Sequence, residues 1–192
     1  MVKLSLPLID RLIRESLKAL LDDLRKCDWY VREHEIVNLF VFKHLVPALK
    51  RRKLNLTKIS IECPVAQVAC KGKERPGARK DLVIWAEPMT TVWKGCGTEY
   101  VEDLWVIQKK GSKPLAVLEW KNISLRSKPT QIKLAHEKDV EWLRRNLQGG
   151  MMKVGYAILV DQSKTKKPSL KWTRLTGTNL GQEPTKAGGL LA

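Results

Sequence analysis

Val154 to Val160 is almost continuously apolar, which is the pattern of a strand covered on both faces. Such a segment commits the chain to a sheet with layers packed on either side, and three stretches have the periodicity to supply those layers. From Leu8 to Leu24 apolar residues recur at helical spacing with charges between them, and Ser5 and Pro7 suit the start of that helix. A second helix is expected from about Asp28, a candidate N-cap, through Glu35, Leu39, Phe42, Val46 and Leu49, with Pro47 placed to kink or end it. A third covers about Thr130 to Leu147 and stops at Gly149 and Gly150.

Short apolar runs fill the intervals. Ile59 to Val65, Lys80 to Ala86, Leu104 to Gln108, Leu115 to Asn122 and Leu170 to Leu175 all read as strands, with Lys109 to Pro114 a hairpin connection. The order helix, helix, three or four strands, helix, two strands predicts an α/β fold, a central mixed sheet flanked by helices. A chain of 192 residues is expected to form one domain over 1–175, with 1–27 an added N-terminal helix and 28–175 the core. Gly, Thr, Lys and Pro dominate 176–192, which is read as a loose tail.

Lys and Arg number 36 against 20 Asp and Glu, a formal charge of +16 that favours polyanionic partners. The excess is spread along the chain and not gathered into an amphipathic anchor, so nucleic acid fits better than a membrane surface. The four cysteines form no C-x-x-C pair and have no well-spaced histidine set, which argues against a zinc ribbon or redox motif. Lys3, Asp10, Arg11 and Arg14 interrupt the N-terminal apolar residues as a signal-peptide core would not allow, and an intracellular, cytoplasmic protein is expected.

The chemistry concentrates in PLAVLEWKNIS, Pro114 to Ser124. A strand that opens apolar places Glu119 and Lys121 two residues apart, hence on one face. Ions in that position need solvent at the strand end or compensating charges; an exposed pair at a strand edge is the plain alternative. In RKDLVIW, Asp81 stands at the mouth of a second apolar strand, where it could equally be a turn residue. Together these strands offer two carboxylates and an ammonium, a set suited to holding Mg²⁺ and hydrolysing a phosphodiester.

Asp81 followed by Glu119-Trp120-Lys121, on strands with helices before and after, resembles the PD-(D/E)XK, or restriction-endonuclease-like, nuclease superfamily over roughly Asp28 to Leu175. The resemblance implies an αβββαβ core and a metal-dependent (deoxyribo)nuclease, an endonuclease, with Asp81, Glu119 and the Trp120 backbone carbonyl as ligands of Mg²⁺, Mn²⁺ able to substitute, and Lys121 as the catalytic cation. Many members add a glutamate from the helix before the sheet, and of Glu33 and Glu35 the latter shares a stripe with Leu39, Phe42, Val46 and Leu49, so Glu35 is chosen as catalytic residue and ligand. Lys80 stands where the family has proline, and the long interval to Glu119 leaves open a reading in which Asp103, on the Leu104 to Gln108 strand, replaces Asp81. Gln131 is a candidate contributor from the third helix, while His136 with Asp139 reads as a helix-surface pair and His34 and His44 as packing or basic-face residues.

Lys71, Lys73, Arg75, Arg79 and Lys80, in the segment leading to Asp81, are the expected grip on nucleic-acid phosphates, with DNA favoured over RNA. One such site cuts one strand, so duplex cleavage would favour a homodimer. The competing expectation is a nucleic-acid-binding module of the same fold without catalysis.

Overall fold

The structure, a computed structural model, describes residues 4–27, 31–54, 59–65, 78–85, 113–163, 168–177 and 190–191, with the backbone alone for 63–65, 78–79 and 190–191. Helix α1 spans Leu6–Lys26, with Ser5 as N-cap, a proline in its first turn and Arg25 and Lys26 in its last. Its apolar stripe, Ile9 to Leu24, is buried. The second predicted helix is a rod built of α2 (Glu33–Asn38), a π-helical segment (Leu39–Leu45) and α3 (Val46–Arg51). Its N-cap is Arg32, not Asp28, which lies outside the described residues. Pro47 neither ends nor breaks the rod. The Val46 amide reaches back to the Val41 carbonyl across the wider π turn, and Pro47, which has no N–H to give, falls in the first turn of α3.

Strands β1 (Ile59–Val65), β2 (Ala78–Trp85), β3 (Pro114–Ile123), β4 (Val154–Asp161) and β5 (Ser169–Thr176) lie side by side in chain order. All neighbours are antiparallel except β3 and β4, which run parallel from Ala116–Val154 to Ile123–Asp161. That pair is joined by α4 (Pro129–Gln148), which crosses one face of the sheet. A two-residue strand, β6 (Leu190–Leu191), pairs with β5 in the segment read from sequence as loose tail. The expected Leu104 to Gln108 strand lies outside the described residues. Over Ala116–Leu118 the two sides of β3 are taken by β2 and β4.

Strand alternation divides the core in two. Leu82, Ile84, Ala116, Leu118, Trp120, Tyr156 and Ile158 pack toward α1 and the rod, whereas Val83, Trp85, Val117 and Ala157 meet Leu143 and Leu147 of α4. Gly155 lets α4 approach closely, because a Cβ there would lie 2.9 Å from the Leu143 side chain. Gly150, at φ +63, carries the left-handed turn that ends α4, where the sequence placed its stop. No helix among the described residues is long and apolar enough to cross a membrane.

Candidate active site

β3 delivers Glu119 and Lys121 to its α4 face and Trp120 to the other, where the Trp120 ring packs on Phe40 of the π-helical segment at 5.1 Å between centroids. Trp120 thereby pins the strand between its two charged neighbours. Pairing of β2 with β3 ends at Leu82–Leu118, and just beyond it the Asp81 carboxylate takes the Trp120 N–H at 2.6 Å. Asp81 therefore binds the backbone between Glu119 and Lys121 directly. β1 is irregular opposite this point: its register passes from Ile61–Leu82 to Cys63–Lys80, and Glu62 has φ +50, an unfavourable conformation for a residue with a Cβ.

Lys121 Nζ donates to the Trp120 carbonyl at 2.6 Å and lies 3.3 Å from Asp139 of α4 and 3.7 Å from Glu33 of α2. Burial opposes its charge, but Glu33, Asp139 and Asp81 outweigh burial and raise its pKa, so Lys121 is held as an ammonium. Of the two glutamates at the start of α2, Glu33 is the one that lies beside Lys121. Glu35 is exposed, and its carboxylate accepts from the Arg32 N–H at 2.7 Å as part of the helix start. Glu35 does not lie on the core side that periodicity predicts, because in the first turn its carboxylate folds back onto the helix start.

A buried amide cluster fixes the approach to Glu33. Asn122 and Gln162, from β3 and the end of β4, both donate to the Val31 carbonyl, at 2.8 and 2.9 Å, and Gln162 also accepts from the Val31 N–H at 3.2 Å. A 2.9 Å hydrogen bond from Gln162 to Asn122 joins the two side chains. The chain two residues before Glu33 is so tied to the same strand end that carries Lys121.

Lys80, expected among phosphate-gripping residues, is instead only 6% exposed. Its ammonium forms an ion pair with Glu119 and sits 3.7 Å from the centre of the Trp142 ring of α4. Burial pushes the Glu119 carboxyl up to about 7; the Lys80 ammonium outweighs the repulsion from Asp81 and Asp139 but not the cost of burial. Burial likewise raises Asp81 and Glu33, and the Asp139 charge contributes to both. Among the described residues, four carboxylates, Glu33, Asp81, Glu119 and Asp139, therefore share this end of the sheet with two ammonium groups, Lys80 and Lys121: formally two negative charges in surplus within that set, in a chain of charge +16.

Asp139 and His136, one turn apart on α4, face the site and not solvent alone. His136 is half-buried with Nδ1 unpartnered among the described residues, and burial lowers its pKa, so it is neutral near pH 7. Gln131 and His34 are exposed; His44 pairs with Asp23 at 2.8 Å, on the far side of the rod. Lys71, Lys73 and Arg75, and the Arg79 side chain, lie outside the described residues, as does Asp103. The i, i+3 spacing of His136 and Asp139 was visible in sequence, but only the packing of α4 on β3 decides which way it faces.

The donors here are hard oxygens, carboxylates and the Trp120 carbonyl, and with their surplus charge they fit a hard divalent cation in kind. Among the described residues, no three acidic, histidine or cysteine side chains are gathered closely enough to form a ready cage, because the lysines hold the carboxylates apart. Comparison with family models, with curated proteins and with solved structures finds no match.

Proposed function

We propose that the protein is a metal-dependent nuclease that hydrolyses phosphodiester bonds of DNA through a PD-(D/E)XK-type site. The observation that carries this reading is the charge imbalance: four carboxylates around two ammonium groups at one end of a buried sheet, beside a backbone carbonyl. Like charges gathered where water is partly excluded are costly, and a divalent cation would offset that cost. Asp81, Glu119 and the Trp120 carbonyl would hold Mg²⁺ or Mn²⁺, with Glu33 in the part expected of Glu35. The bound ion would polarise a phosphate oxygen and lower the pKa of its water.

Lys121, kept protonated by three neighbouring carboxylates, would serve as a donor that orients water or stabilises charge growing on the phosphate. Trp120, locked by Phe40, holds Glu119 and Lys121 at fixed spacing. The positive field of the whole chain draws in the polyanion. One site of this kind cuts one strand, so duplex cleavage would need two copies of the chain.

The test is cleavage of a panel of DNA and RNA forms with Mg²⁺ or Mn²⁺ and with EDTA. Wild-type protein is expected to cut DNA only with metal, and Asp81→Ala, Glu119→Ala and Lys121→Ala are each expected to lower the rate by about 10²-fold or more. Cleavage indifferent to all three changes would sink the assignment. The ion pair already formed between Lys80 and Glu119 favours a second reading, a nucleic-acid-binding module without catalysis. DNA binding that persists without any metal-dependent cutting would establish it.

A further inference from the structure

We propose that Lys80 is a built-in cation that competes with a divalent ion for Glu119, so that loading the site and releasing Lys80 are one event. The inference rests on the nuclease reading and concerns how its site is switched on. Lys80 is held from two sides, by the Glu119 carboxylate and by the Trp142 face 3.7 Å from its ammonium, and water scarcely reaches it. Glu119, at 4% exposure, has its Oε1 committed to this contact. A divalent ion bound there would sit beside an ammonium in a region of low dielectric, where like charges repel strongly. One of the two must leave.

The two lysines differ in what holds them. Lys121 is fixed by the Trp120 carbonyl, Asp139 and Glu33, and stays wherever Glu119 turns. Among the described residues Lys80 forms one ion pair, and its partner is the carboxylate the metal would need. Its flexible stem allows the ammonium to swing out from β2. Once released, it lies one residue from Asp81, within reach of a phosphate entering the site. A doubly charged ion can displace an internal ammonium where Na⁺ or K⁺ cannot, so the pair would also keep the site closed to monovalent ions.

The test is Mn²⁺ binding by calorimetry, without nucleic acid, to wild-type protein, Lys80→Met, Glu119→Gln and the double variant. Met keeps the length of the stem and can remain against the Trp142 ring. Lys80→Met is expected to bind Mn²⁺ at least about tenfold tighter than wild type, from removal of a like charge a few Å away, and the gain should vanish with Glu119→Gln. Equal or weaker binding by a folded Lys80→Met protein overturns the proposal. Should that variant not fold, reductive methylation of the wild-type protein read by mass spectrometry decides: Lys80 is expected to be protected in EDTA or in NaCl of matched ionic strength and to be modified with saturating Mg²⁺. Equal modification in all three conditions overturns the proposal. Metal-dependent cleavage with no gain in Lys80→Met would remove Lys80 as gate and leave the nuclease standing, whereas a Glu119-dependent gain without cleavage by any variant would support the competition and remove the nuclease.

Discussion

The two faces of the sheet each bury a carboxylate, and they treat it in opposite ways. Toward α1, Asp10 is 8% exposed and accepts from the Tyr156 hydroxyl, from Arg174 Nε at 2.5 Å and, at its other oxygen, from Arg14 at 3.1 Å. One carboxylate there meets two guanidinium groups. Toward α4, Glu119 meets Lys80 but also the charges of Asp81 and Asp139. The first arrangement is satisfied within the chain and fastens α1 to β4 and β5; the second is left short of positive charge. On the proposed function, the contrast separates a structural buried ion from a site that would receive one.

The largest effect that could break this contrast is on stability. Asp10→Ala removes the carboxylate on which Tyr156 and Arg174 converge, and is expected to cost about 3–5 kcal/mol in urea unfolding, toward the lower end because Arg174 is partly exposed. Cleavage per folded molecule should be unchanged. A loss of cleavage in the folded fraction would show that the two faces are coupled and the division too simple.

Next is the pH dependence on the other face. A carboxyl whose folded pKa lies above its unfolded value binds more protons folded than unfolded between the two, so its contribution to stability falls as pH rises through that window. For Glu119 the window runs from the ordinary 4.5 to about 7, and the loss is up to about 3 kcal/mol across it. The raised Asp81 and Glu33 carboxyls act in the same direction. Thermal denaturation of EDTA-treated protein should show Tm declining as pH rises to about 7, with a shallower decline in Glu119→Gln. A slope that Glu119→Gln leaves unaltered would mean that Lys80 fully compensates its partner and that this face is as satisfied as the other.

What could be read from the sequence follows from what each signal depends on. The apolar runs at Val154 to Val160 and Leu115 to Asn122 and the helical periodicity of Leu8 to Leu24 and Thr130 to Leu147 are local, and each yields an element within a few residues of its observed bounds. Glu119 and Lys121 share a face by strand alternation alone. That β2 neighbours β3, and so that Asp81 stands beside Trp120, is a pairing between segments far apart in the chain, which periodicity cannot choose. Lys80 was misjudged for a related reason: its basic surroundings in sequence suggested surface, but its environment is set by Trp142 and Glu119 from two other elements. The same holds for Asp139, whose role depends on how α4 lies over β3.

The smallest expected effects come from the pair of glutamates two residues apart at the start of α2, and they sharpen the comparison most cheaply. Glu33 contributes charge to the site: it is 3.7 Å from Lys121, and burial raises its pKa against the pull of Lys121, with Asp81 and Asp139 adding repulsion. Glu35 contributes a cap, through its 2.7 Å bond from the Arg32 N–H. Glu33→Gln should therefore lower metal-dependent cleavage by about tenfold, as loss of a group supporting a metal site does, while relieving repulsion and leaving Tm level or slightly higher. Glu35→Ala should leave cleavage alone and lower Tm by at most about 2–4 °C, the signature of a weakened helix start in a chain of this size. Measured side by side in one assay and one melt, the two variants separate electrostatic need from local stability. The reverse pattern, with Glu35 governing cleavage and Glu33 governing Tm, would return the site to the arrangement that the apolar stripe of the sequence suggests and remove Glu33 from the group of carboxylates whose surplus charge calls for a cation.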